Sequence, residues 1–145
     1  MNKPTFYLIA ALLSILTLTS CGDTPEKFIE DQAEHIEDLT SILSDYETGK
    51  ISEREVVIEM AKWAAKWEEF DERLDKLEED GNITDASQFY TSHKSTLLPP
   101  LEELGEITER IDNVGRFSQP MNNVLEKNLE GNKSFGHIFS LIFMM

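Results

Sequence analysis

Apolar residues recur every three or four positions along most of this chain, the spacing that gives a helix one buried face. The first run places Ile29, Ile36 and Leu43 seven apart, with Leu39 and Tyr46 between them and Gln32 in the remaining seam position. A second run, Val56, Met60, Trp63, Trp67, Phe70, Leu74 and Leu77, alternates steps of four and three, which is a bundle seam. Beside it, Ala61, Ala64 and Ala65 leave room for a neighbouring helix to come close. The third run passes through Ala86, Tyr90, His93 and Leu97 to Leu101, Leu104, Ile107, Ile111 and Val114. Within it, Pro99-Pro100 removes two backbone donors and pushes Leu98 off helical angles, so a kink or short break is expected there. A fourth, shorter helix is expected from about Gln119 to Glu130 through Met121, Val124, Leu125 and Leu129.

Between the runs a four-residue pattern repeats: Gly, any residue, an apolar residue, then Ser or Thr. It stands at Gly49-Lys50-Ile51-Ser52, Gly81-Asn82-Ile83-Thr84 and Gly115-Arg116-Phe117-Ser118, with a degraded copy at Gly131-Asn132-Lys133-Ser134. Gly takes the left-handed conformation that ends one helix, and Ser or Thr caps the next. Ser52 with Glu55 forms a capping box, and Ile51 with Val56 a staple. Thr24 and Pro25 are the cap and first residue of the first helix. Tight turns between single long helices make antiparallel neighbours. The expected fold is all-α: an up-and-down bundle of three long helices plus a short fourth over residues 24–131, the third helix kinked at its Pro-Pro pair. The apolar segment 132–145, with Ile138, Phe139, Leu141, Ile142 and Phe143, is too short to span a bilayer and is expected to fold onto the bundle. A membrane-lying or partner-docking role is its alternative.

The amino-terminal 20 residues are different. One cation, Lys3, precedes an apolar run from Phe6 to Leu18 broken only by Ser14 and Thr17, the make-up of a signal peptide. The quartet Leu18-Thr19-Ser20-Cys21 follows, a Leu and two small residues before a Cys. This stretch resembles the lipobox of bacterial lipoproteins. The resemblance covers residues 1–21 alone and implies cleavage before Cys21, a diacylglycerol thioether on its sulfur and usually a third acyl chain on the new amino terminus. Two or more chains hold firmly, at ~0.8 kcal/mol per buried CH₂. Residues 21–23 would then be the whole tether, so the bundle would sit close to the membrane. In enteric lipoproteins an Asp directly after the Cys favours the inner membrane; Gly22 stands there and Asp23 follows, which, in a Gram-negative cell, points to the outer membrane, facing the periplasm.

Charge narrows the partners. Of 13 basic and 28 acidic side chains the peptide removes only Lys3, leaving a net −16. That field disfavours nucleic acid strongly. Cys21 is the only cysteine, so no disulfide within the chain, thiolate metal site or redox pair can form.

Candidate chemistry is sparse. Trp63, Trp67 and His93 are the residues that would line a pocket for an apolar ligand, although the unbroken seam favours the tryptophans as core. His35 lies near Asp31 and Asp38, but the Glu-x-x-His motif of di-metal bundles is absent, since Gln32 holds the place three before it. Residues 76–87 imitate an EF-hand loop, with Lys76 and Ser87 where the first and twelfth ligands belong, so no metal or other cofactor is expected. Glu68, Glu72, Asp75 and Glu79 form a candidate acidic docking face, with local pairs expected between Glu69 and Arg73 and between Glu72 and Lys76. Nothing combines a base, a nucleophile and an oxyanion site, so no enzyme is expected. The expected function is an envelope lipoprotein, held in the membrane through Cys21, that engages a protein partner, an inhibitor or immunity role included. The alternative is a carrier of an apolar small molecule held in the bundle.

Overall fold

The computed structural model describes residues 22–144, which are helical or in turns, without a strand. Cys21 and the peptide before it lie outside the described residues. Helix α1 (Pro25–Glu47) starts at Thr24, whose hydroxyl accepts from the Lys27 N–H at 3.2 Å, with Pro25 in the first turn. Gly49 has φ +81°, and Ser52 then caps α2 (Glu53–Ala65) by accepting from the Glu55 N–H. Gly81 (φ +76°) and Gly115 (φ +72°) end the next two stretches in the same left-handed conformation.

The second seam is divided. Lys66 separates α2 from α3 (Trp67–Glu79). Two carbonyls at this point take a side-chain donor from another element. His35 Nε2–H donates to the Trp63 carbonyl at 2.9 Å, and Asn132 Nδ2 donates to the Trp67 carbonyl at 2.7 Å. Lys66 N–H closes a tighter turn onto Trp63 at 3.3 Å. Side chains inserted into a helix ladder break it in this way.

The third stretch is divided too. Helix α4 (Ala86–Ser92) is capped by Asp85, which accepts from the Gln88 N–H, so the cap lies one residue past the expected Thr84. His93 interrupts the chain with φ −104° and ψ 12°, and α5 (Lys94–Asn113) then runs through both Pro99 and Pro100. The interruption expected at the proline pair thus falls at His93. The carbonyls the prolines leave unpaired belong to Ser95 and Thr96, both exposed, where water can satisfy them. Helix α6 (Gln119–Gly131) follows Ser118, and α7 (Lys133–Ser140) starts after one residue and ends in a short 3-10 turn, Leu141–Met144.

Helix α1 lies at the centre, packing most extensively on α5 and also on α2 and α3; α6 lies on α2, and α7 on α3. Helix α6 lies along the alanine flank of α2, but a cavity of about 420 Å³ lined by Ala61, Ala64, Ala65, Val124 and Asn128 separates them, and Ala61 and Ala65 are exposed. Helices α1 and α5 run the same way, their last turns joined by Arg110 and Glu47 at 3.0 Å and by the Tyr46 hydroxyl donating to the Arg116 carbonyl. Arg116 lies over the Tyr46 ring and donates to the carbonyls of Tyr46 and Glu47, capping α1 from outside. Phe28, Ile36, Leu39, Met60, Trp67 and Leu97 are fully buried between the helices.

Candidate interaction site

The tryptophans line no open pocket. Trp67 is fully buried and Trp63 nearly so, with rings 5.7 Å apart edge to face. Phe135 of α7 closes over both, at 5.7 and 5.1 Å. The histidine beside them is His35, its ring stacked on Trp63 at 5.1 Å and 14°. The pair is reciprocal, because Trp63 Nε1–H donates to the His35 carbonyl at 2.6 Å. Burial holds the His35 pKa below its ordinary value, against the opposing pull of the Trp63 carbonyl and Asp38. His93 is elsewhere, half-buried at the α4–α5 junction, where Nδ1–H donates to the Phe89 carbonyl at 2.9 Å. The three residues expected to share a ligand pocket are therefore not brought together. Gln32 donates to the Tyr90 hydroxyl at 2.9 Å, and burial pushes that hydroxyl's pKa up to about 12.

The apolar carboxyl-terminal segment folds onto the bundle, with Phe135, Ile138 and Leu141 buried. Its anchorage is polar as well as apolar. Asn132 caps α7 by accepting from the Phe135 N–H at 2.8 Å, while Asp71 of α3 accepts from the N–H groups of Lys133 and Ser134. Helix α7 thus starts against a carboxylate, which its dipole favours. No helix among the described residues is long and apolar enough to cross a membrane.

The carboxylates of α3 divide by use. Asp75 pairs with Lys133 at 3.1 Å, raising the lysine's pKa through that bond. Glu68, Glu72 and Glu79 stand exposed and make no ion pair among the described residues. The expected pairs of Glu69 with Arg73 and Glu72 with Lys76 are not formed. Arg73 turns to α1 instead, donating from Nε and Nη2 to both Asp23 oxygens at 2.8 Å, with Asp31 at 2.9 Å. Its guanidinium also lies over Phe28 and Phe70. The Arg73 hydrogen bond holds the Asp23 carboxyl below its usual pKa.

A groove of about 620 Å³ runs between α5 and α6. Leu101, Leu104, Gly105, Thr108 and Asp112 form its α5 wall, and Asn122, Leu125, Glu126 and Leu129 its α6 wall. Phe135, Phe139 and Ile142 floor it. Its ionisable lining residues, Glu109, Asp112 and Glu126, are all acidic. The apolar runs named Leu101, Leu104, Leu125 and Leu129 as positions to be covered, but gave no sign that they would line an open groove rather than the core. No family model matches the chain, and no curated protein and no solved structure matches it either.

Proposed function

We propose that this chain is a lipid-anchored lipoprotein of the bacterial envelope acting, without catalysis, as a protein-interaction module, an inhibitor or immunity protein against a basic target included. The quartet ending in Cys21 supports the anchor, and Gly22 followed by Asp23 supports, for a Gram-negative cell, the outer membrane facing the periplasm. We count the fold as an up-and-down bundle with arms α1, α2 with α3, and α4 with α5, and with α6 as the short fourth.

One observation carries the interaction reading: Glu68, Glu72 and Glu79 stand exposed along α3 and make no ion pair among the described residues. An uncompensated acidic flank steers a basic partner and fixes its register. The test is capture from detergent-solubilised envelopes with three forms: the acylated chain, Cys21→Ala, and Glu68→Lys with Glu72→Lys. The expected outcome is a stoichiometric partner on the acylated chain, less of it with Cys21→Ala, and about tenfold less with the reversed charges. Equal recovery with the reversed charges, or no partner with any form, would sink the reading.

The apolar lining of the groove favours a second reading, a carrier of an apolar small molecule. Such a ligand would lie between α5 and α6, since Phe135 fills the space beside Trp63 and Trp67. Native mass spectrometry of the delipidated chain separates the two, because a carrier retains adventitious ligand.

A further inference from the structure

We infer that the groove between α5 and α6 receives a single amphipathic helix of a partner protein, apolar along one face and basic along its edges. The inference rests on the interaction-module reading and names the class of partner. Three features of the groove converge on this occupant.

The first is periodicity. Along α5 the lining falls at Leu101, Leu104, Gly105, Thr108, Glu109 and Asp112, and along α6 at Asn122, Leu125, Glu126 and Leu129. Steps of three and four on both walls are the spacing by which helices receive another helix. From Leu101 to Asp112 the wall extends ~16 Å, about three helical turns, which suits anchors at i, i+4 and i+7 of a partner. Leu129 and Ile142 are each 37% exposed, so the apolar stripe is open at its edge.

The second is charge. All three ionisable side chains on the lining are acidic, in a chain whose acids outnumber its bases 28 to 13. A helix with Lys or Arg flanking its apolar face matches that rim, and an acidic helix is rejected.

The third is Gly105. It sits inside α5, where Gly is less favourable than Ala, and a Cβ built on it meets nothing within 4 Å. No packing within the described chain requires a glycine there. A helix seated in the groove would require it, because a bare backbone lets a second helix approach closely.

Gly105 makes the test sharp, since its effects on stability and binding have opposite signs. The acylated chain is placed on phosphatidylcholine nanodiscs and titrated with a synthetic helix of about 18 residues, Leu on one face and Lys at the edges. Empty nanodiscs give the background, and a Glu-edged helix is the charge control. The Glu-edged helix is expected to bind about tenfold more weakly or not at all. Gly105→Ala should raise Tm by about 2–6 °C yet weaken binding about threefold, and Gly105→Leu should weaken it about tenfold or more. Glu68→Lys with Glu72→Lys should change this affinity less than about threefold, because that flank belongs to α3.

Unchanged affinity in both Gly105 variants overturns the inference, as does a loss with the α3 reversal equal to that with Gly105→Leu, which means unspecific charge. Stoichiometric palmitate binding that excludes the helix overturns it in favour of a carrier. Self-association that excludes the helix overturns it in favour of a second copy of the chain. A chain that fails to stay on nanodiscs refutes the anchor alone; the same titration is then read in free solution, with the same outcomes for the groove.

Discussion

His35 hands its Nε2 proton to the Trp63 carbonyl while the Trp63 indole hands its own to the His35 carbonyl, so two buried polar groups satisfy each other across α1 and α2. The arrangement works with a neutral imidazole, and burial keeps the His35 pKa below 6.5. A depressed folded value means that the unfolded chain takes up the proton first. Stability from this group is therefore full above pH 6.5 and is lost as pH falls through the folded value. Asp23 adds a second, more acidic window below 3.8, since its folded pKa is depressed as well. Tm followed by circular dichroism should decline below pH 6.5, and His35→Gln should remove that first decline while leaving the acidic one. An identical pH profile in the variant would contradict this account of His35. The seam periodicity identified Trp63 and Trp67 as buried residues, because spacing reports which face is covered. It could not report what covers them. His93 falls on the same period as Tyr90 and Leu97, yet a helix junction rotates it away, and His35 takes the place beside the tryptophans.

At the scale of elements, turn chemistry was more legible than helix continuity. Left-handed Gly49, Gly81 and Gly115 and the Ser52 cap follow from local sterics and stand where expected, whereas Gly131 of the degraded copy stays helical. The divisions at Lys66 and His93 were not legible, and for Lys66 the setting is tertiary: His35 and Asn132 donate to the Trp63 and Trp67 carbonyls on either side of it, 28 and 65 residues away in sequence. Asn132 was hidden by its motif, since the pattern looked for an apolar residue and then Ser or Thr, whereas Asn itself is the cap of α7. This residue does two things at 6% exposure, capping α7 and satisfying the Trp67 carbonyl. Asn132→Ala should cost about 2–3 kcal/mol in urea unfolding, cap and buried hydrogen bond together. Asn132→Ser, which keeps the cap and loses the donor to Trp67, should recover about half of that. A cost within ~0.5 kcal/mol of zero for Asn132→Ala would show that α7 is held by Phe135 and Ile138 alone.

The whole molecule carries far more acid than base, and three of the seven ion pairs among the described residues are exposed on both sides and weak. Self-repulsion should outweigh them, so Tm should rise as sodium chloride is raised from about 20 to 200 mM. A fall in Tm would mean that the Arg73 and Arg110 pairs dominate the electrostatics. All-helical architecture was legible because a 3.6-residue period needs no knowledge of partners. The groove was not, since its floor exists only after α7 has folded back. The fastening of Asp23 by Arg73 has a mechanical consequence for the acylated chain proposed above. Gly22 alone would separate the lipid-bearing residue from the fastened one. The bundle would then be a short post with a fixed foot, its α1 ~35 Å long over 23 residues. Its docking surfaces would hold a set height above the bilayer and search almost no volume. A partner would have to meet them at that height, which favours one held in the same membrane over one that drifts past.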